Sequence, residues 1–240
     1  GKGTMKNVEV NYWAIVPAAG IGKRFSADIP KQFHQLQGEL VAQHTLQRLL
    51  DVRLINRIIA PCDSASGYWV RVDATKNPRV QLIEGGGTRA HSVLSGLNAL
   101  QDLAKPNDWI LVHDMARPCV TSSDICKLID ALKSHPVGGL LATTVNETLK
   151  IVTSDQNVEK TVNREHYRVA QTPQMFRYKI LYDAISRMLD NQEIPTDEST
   201  AIENTGRKVC VVEGRQDNIK ITRREDLMIA EAILLNQEKH

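Results

Sequence analysis

The sequence predicts an α/β protein: a mainly parallel sheet with helices on both faces and a projecting β-hairpin arm. Three observations predict it. Short β-branched runs alternate with amphipathic stretches along the chain. The first such run leads directly into a glycine-rich turn, and a single later segment breaks the alternation. Alternating β and α units place parallel strands in a sheet buried on both faces.

The strand-like runs are Trp13–Val16, Arg57–Ala60, Val80–Ile83, Trp109–His113, Gly139–Thr143 and Val209–Glu213. Between them, Val93, Leu94, Leu97 and Leu100 mark one helical stripe. Ile125, Leu128, Ile129 and Leu132 mark another, with Ser122 or Ser123 as its expected N-cap. Later helices are expected over Ile180–Leu189 and over Asp197–Asn204, the latter closed by Gly206. The last is expected to start at a capping box, Thr222-Arg223-Arg224-Glu225, and to carry Leu227, Ile229, Ala230 and Ile233. Glu147–Val152 and Val158–Val162 flank the turn-rich residues 153–157 and lack large apolar residues on most positions. They read as a β-hairpin outside the main core, either a plain surface hairpin or an arm that embraces a second subunit.

Composition narrows the function classes. The 240 residues are 42% hydrophobic, enough for a full core, and 30 Lys and Arg against 28 Asp and Glu leave a net charge of +2. That balance argues against a nucleic-acid surface. No apolar run approaches the 18 residues or so of a membrane span, and no export signal is visible, so the cytoplasm is the expected compartment. Residues 1–4, ahead of Met5, read as a vector-derived leader. Cys62, Cys119, Cys126 and Cys210 form no C-x-x-C pair, which argues against zinc and against a disulfide framework; all four are expected to pack as small apolar residues.

The chemistry gathers in three loops. The first strand runs into Pro17-Ala18-Ala19-Gly20-Ile21-Gly22-Lys23-Arg24-Phe25, where small residues let backbone N–H groups approach phosphate oxygens. A dinucleotide fingerprint fails because Phe25 stands where Gly or Ala is needed, and a P-loop fails because Arg24 follows Lys23. What remains is a glycine-rich turn flanked by Arg24 and Lys31, two cations suited to a triphosphate. Glu84-Gly85-Gly86-Gly87-Thr88-Arg89-Ala90-His91-Ser92 joins a strand to a helix; its glycines suggest that a ligand or another chain segment lies against them, and Ser92 offers a hydroxyl from the first turn. Asp114 follows a buried strand in His113-Asp114-Met115-Ala116-Arg117-Pro118, a place from which a carboxylate can serve Mg²⁺ and a substrate phosphate. His34, His44, His91, His113, His135 and His166 read as surface or structural histidines.

Taken together, these loops, Pro30-Lys31-Gln32, Thr196-Asp197-Glu198 and Val212–Lys220 resemble the bacterial methylerythritol phosphate cytidylyltransferases of isoprenoid precursor synthesis, in order over about residues 11 to 235. The resemblance implies a Rossmann-like nucleotidyltransferase domain over residues 5–240, with residues 145–167 as a dimerisation arm. It implies cytidylyl transfer from CTP to 2-C-methyl-D-erythritol 4-phosphate, with Mg²⁺ as cofactor. Arg24 and Lys31 would be catalytic, and Ala18, Ala19, Gly20, Gly22, Gly86, Gly87, Ser92 and Asp114 would bind the nucleotide, Asp114 also meeting the metal. Arg117, Thr172 and Lys220 match substrate-side positions, as do Thr148 and Arg164, which would act from the partner chain of a homodimer. Two residues depart from the family pattern: Gly87 stands where members often carry Asp, and Met115 where they often carry Ala.

Overall fold

The computed structural model describes residues 9–18 and 29–239. Its elements in chain order are β1 (Tyr12–Ile15), β2 (Gln35–Leu36), β3 (Glu39–Leu40), α1 (Val41–Leu50), β4 (Ile55–Cys62), β5 (Val80–Glu84) and α2 (Arg89–Ala99). There follow β6 (Trp109–Val112), α3 (Ser122–Leu132), β7 (Gly138–Thr144), β8 (Lys150–Val152), β9 (Val158–Thr161) and β10 (Arg168–Arg177). The chain ends with α4 (Tyr178–Asp190), α5 (Glu198–Glu203), β11 (Cys210–Glu213) and α6 (Glu225–Glu238).

Seven strands form one sheet in the order β11-β7-β10-β6-β1-β4-β5. All neighbours are parallel except β10, which runs antiparallel to both β6 and β7. Alternation along the strands explains the two cores. Ala14 of β1, Ile58 and Ala60 of β4, and Trp109 and Leu111 of β6 face one side, where α1 and α3 deliver Leu46, Leu49, Ile125 and Leu128. Trp13, Ile15, Ile59, Ile110 and Val112 face the other, against Val93 and Leu97 of α2, Leu181 and Ile185 of α4, and Ile202 of α5. A third cluster seats α6 through Ala230 and Leu234 on Leu36, Val41 and Ile221.

The order of the strands fixes where a ligand can sit. From β1 the chain moves outward to β4 and β5, then returns to β6 on the other side of β1. The C-terminal ends of β1 and β6 therefore lie at a topological switch point, where open α/β sheets leave a crevice.

All six expected strands and the expected hairpin are present. β8 and β9 pair antiparallel around the turn at 153–157, and every residue of both strands is exposed. Four elements lie outside the sequence reading: the short strands β2 and β3, α1 and β10. In β10, Gln171, Thr172, Pro173 and Gln174 break any alternation, and a Pro argues against a central strand. The ladder to β7 accommodates it by a register shift between Ala170 and Gln174.

Three local expectations need correction. α3 is capped by Thr121, whose hydroxyl accepts from the Asp124 amide, so the cap lies just before Ser122. At α6 the Asp226 carboxylate, not a Thr222–Glu225 box, accepts the Thr222 and Arg223 amides. Cys126 is exposed on α3 and is no packing cysteine, whereas Cys62 and Cys119 are buried and Cys210 is partly so.

Gly139 of β7 lies against β11: a Cβ there would stand 2.0 Å from the Cys210 carbonyl oxygen. The obstacle is backbone held in the ladder, so it cannot rotate away. Gly139→Ala should destabilise the fold by about 1–3 kcal/mol in urea unfolding. Gly67→Ala, which meets nothing within 4 Å, should stay within about 0.5 kcal/mol. Equal effects of the two would show that β11 does not pack on β7 as described.

Candidate active site

At the sheet's C-terminal edge, the β1 and β4 ends are tied together. The Ala18 amide donates to the Pro61 carbonyl at 2.8 Å, and the Gly85 amide donates to the Cys62 carbonyl at 2.9 Å. Gln32 donates its side-chain amide to the Ala18 carbonyl at 3.2 Å, which brings the Lys31 segment to the same edge. Ala18, Lys31 and the Gly86 loop are thus neighbours, although far apart in sequence. Ala19, Gly20, Gly22 and Arg24 lie outside the described residues.

The glycines after β5 differ in their reasons. A Cβ on Gly86 would stand 2.4 Å from the His91 Cβ, so another chain segment lies against it; Gly87 faces open space. Ser92 is fully buried, and its hydroxyl accepts the Gly86 amide at 3.0 Å. Its hydroxyl is therefore committed to shaping this loop.

The centre of the edge is Asp114, 7% exposed, just beyond β6. Arg89 donates Nε to one carboxylate oxygen at 3.0 Å; Arg117 donates Nε to the other at 3.3 Å. Lys220 Nζ lies 3.7 Å from that second oxygen. Burial alone would raise the Asp114 pKa, but the charges of Arg89, Lys220 and Arg117 outweigh it and hold the carboxyl well below its ordinary range. Arg89 is itself gripped from behind: its two terminal nitrogens donate to Glu198, 1% exposed, at 2.6 and 2.8 Å. Lys31 is close enough to feel both Lys220 and Asp114; its pKa is lowered, first by burial and then by Lys220.

A second network fixes the loop that carries Asp114 and Arg117. The Asp114 amide donates to the Thr172 hydroxyl at 3.0 Å, and that hydroxyl lies 2.8 Å from Nδ1 of His113. Nε2 of His113 donates to the Arg117 carbonyl at 3.0 Å. Arg117 also donates to the Asn218 carbonyl, and Asn218 donates its side-chain amide to the Thr172 carbonyl. Burial pushes the His113 pKa down to about 4, so the imidazole is neutral near pH 7.

Arg89, Asp114, Arg117, Thr172 and Lys220 line a common cavity of about 200 Å³. Of the residues picked out in the sequence, the structure therefore gathers Asp114, Arg117, Thr172 and Lys220, with Lys31 beside them. Thr148 and Arg164 stand apart: both are exposed, and Arg164 donates to the Asn146 carbonyl at the base of the hairpin. Arg89 and Glu198 had no assigned role, and His113 reads in the sequence only as surface or structural. Arg89 carried one signal, since a cation at the first position of a helix opposes the helix dipole and needs a partner.

The residues present do not fit a metal held at Asp114. Both its oxygens already accept from guanidinium groups, and three cations surround a single carboxylate. Among the described residues, no group of three or more His, Cys, Asp or Glu side chains is placed to hold a metal ion.

The fold and its positively charged crevice are those of an α/β nucleotidyltransferase, as its relatives show. The model of one family, IspD: 2-C-methyl-D-erythritol 4-phosphate cytidylyltransferase, matches residues 12–236. The enzyme of that name from Aliivibrio fischeri strain MJ11 is 43% identical over 226 residues, covering 94% of each chain. The Pseudomonas entomophila enzyme is also 43% identical, over 93% of this chain and 95% of its own. Among solved structures, the Francisella tularensis enzyme superposes with a TM-score of 0.79 at 37% identity, over 93% of this chain and 99% of that one. The chain belongs to the 2-C-methyl-D-erythritol 4-phosphate cytidylyltransferase family.

The buried His113 makes stability depend on pH in a stated window. Its pKa is lowered from 6.5 to about 4 on folding, so below 6.5 the unfolded chain binds a proton that the native chain refuses. Stability should fall as pH drops from 6.5 to about 4. Asp114 acts in the same direction at lower pH: its depressed pKa stabilises the fold above the ordinary value of 3.8 and loses that effect only as pH falls further. Urea unfolding between pH 7 and 4.5 should show the loss in the wild type and a shallower slope in His113→Gln. Parallel slopes would mean that His113 does not titrate as its burial requires.

Proposed function

We propose that the chain transfers the cytidylyl group of CTP to 2-C-methyl-D-erythritol 4-phosphate, releasing pyrophosphate and 4-diphosphocytidyl-2-C-methyl-D-erythritol, with the cation cluster around Asp114 receiving the acceptor. Family membership supports the reaction. The cluster supports the placement: Lys31, Arg89, Arg117 and Lys220 against Asp114 and Glu198 leave +2 at the β1/β6 crevice. That charge suits a phosphate dianion.

An acceptor phosphate with a second pKa near ~6 is mostly dianionic at neutral pH, so the attacking oxygen needs no general base. An acceptor oxygen bonds to the α-phosphorus of CTP as the bond to the bridging oxygen of pyrophosphate breaks. The protein's part is alignment and charge stabilisation. Lys31 and Arg24 act on the phosphates, with Ala18, Ala19, Gly20 and Gly22 supplying backbone contacts. Gly86 and Gly87 read cytosine through backbone groups, because Gly87 offers no side chain and Ser92 is spent on Gly86. Arg117, Thr172 and Lys220 hold the acceptor.

The assembly we propose is a homodimer in which Thr148 of the partner subunit and Arg164 of the partner subunit complete each site. The wholly exposed hairpin supports it, together with Val169 and Val211, half exposed on β10 and the edge strand β11. No described helix is long and apolar enough to cross a membrane. We place the enzyme in the cytoplasm, acting on small molecules rather than nucleic acid, on the strength of its composition.

Lys31→Ala should lower turnover by about 10²–10³ while leaving unfolding unchanged, the loss of a charge contact that strengthens in the transition state. Arg164→Ala should also be inactive alone. Mixing the two inactive proteins under conditions of subunit exchange should restore activity, since one site in a hybrid dimer then has both residues. Exchange without recovery would remove Arg164 from a shared site.

Mg²⁺ in this proposal travels with the CTP triphosphate and not with Asp114. Calorimetric titration of Mg²⁺ should show that CTP tightens its binding equally in the wild type and in Asp114→Asn, whereas turnover falls in the variant. Weakened coupling in Asp114→Asn would return the metal to the carboxylate.

A further inference from the structure

The two nitrogens of His113 face unequal partners. Nε2 meets the Arg117 carbonyl, which can only accept, so Nε2 carries the ring proton. In a neutral imidazole Nδ1 is then a bare acceptor. The group facing it at 2.8 Å is the Thr172 hydroxyl, which must donate. The same hydroxyl oxygen already accepts the Asp114 amide at 3.0 Å. Of its one proton and two lone pairs, only a single lone pair is left.

We infer that His113 is a positioning residue that sets the polarity of Thr172, so that Thr172 offers the cavity only an acceptor and selects a substrate hydroxyl there. This rests on the cytidylyltransferase reading above for the identity of the substrate. Thr172 lines the 200 Å³ cavity beside Asp114 and Lys220, so the remaining lone pair has one class of partner. A phosphate oxygen, itself an acceptor, is repelled from it; a polyol hydroxyl is not. The acceptor phosphate is thereby directed to the cations and the carbon chain to Thr172. His113 touches no ligand in this scheme. It is 0% exposed, and its burial keeps the ring neutral, the state the scheme needs.

Two experiments test this. Long-range proton–nitrogen correlation spectra of the free enzyme should show His113 protonated at Nε2 and bare at Nδ1 near pH 7. The Nδ1–H tautomer, or a doubly protonated ring, overturns the inference whatever the enzyme's substrate. In kinetics, mono-deoxy analogues of the acceptor phosphate should include one that loses about tenfold in kcat/KM, carried by KM, as expected for one neutral hydrogen bond. Thr172→Val and His113→Leu should discriminate against that analogue by less than about threefold, because each removes the directed acceptor. Undiminished discrimination in either folded variant also overturns the inference. Absence of turnover with the parent acceptor would instead sink the proposed function and leave the spectral result standing.

Discussion

The site depends on one buried carboxylate. Without a ligand, Arg89, Arg117 and Lys220 would repel one another at this range, and each would lose hydration on entering the crevice. Asp114 offsets part of both costs by accepting from two guanidinium groups and lying near the ammonium. Its own desolvation is then outweighed, as its depressed pKa records. Glu198 makes a further adjustment. By taking both terminal nitrogens of Arg89 it cancels that charge locally and fixes the side chain, so Arg89 serves Asp114 and is not free to bind an anion. In the proposed function, Lys31, Arg117 and Lys220 are left to meet phosphate. The cluster carries net positive charge and is held together by its own ion pairs.

Topology explains how these residues meet. β10 pairs antiparallel with β6, with Gln174 opposite Val112. Following that register past the end of β6 brings Thr172 alongside Asp114, where its hydroxyl accepts the Asp114 amide. A parallel neighbour would send its own C-terminal loop outward at this point and leave no side chain to cap the β6 loop. The reversed strand also carries Gln174, whose side chain accepts the Ser199 amide and donates to Asp197. β10 thus fixes the N-terminus of α5 and, through it, Glu198.

The legible part of the sequence was whatever repeats with a regular period or stands in a short contiguous motif. Six strands, the hairpin and five helices show their pattern locally, as do the glycine turns and Asp114. β10 was hidden because its function overrides its pattern: Gln171, Thr172 and Gln174 are buried polar residues turned to networks, not a strand's apolar face. Arg89 and Glu198 are 109 residues apart, and nothing in either local sequence names the other. His113 reads as surface or structural, and its burial removes the first alternative. What sequence could not show is that its two partners differ in hydrogen-bonding character. Tertiary pairing, not residue type, assigned these roles.

The cavity is polar at both ends, but in different senses. Around Asp114 the available groups are cationic donors. Around Thr172 the hydroxyl has one lone pair to spare, an acceptor at the cavity wall. A ligand matched to such a gradient has an anionic group at one end and a hydroxyl donor towards the other. A molecule with phosphates at both ends would leave acceptors facing acceptors, and a neutral polyol would leave the cations without an anion. The proposed acceptor, a phosphorylated polyol, satisfies both ends, and it does so in one orientation only: phosphate towards Lys220 and Lys31, hydroxyls towards Thr172. That orientation also presents the phosphate towards Lys31, beside which the nucleotide is proposed to bind. Selectivity and alignment for attack then follow from the same asymmetry.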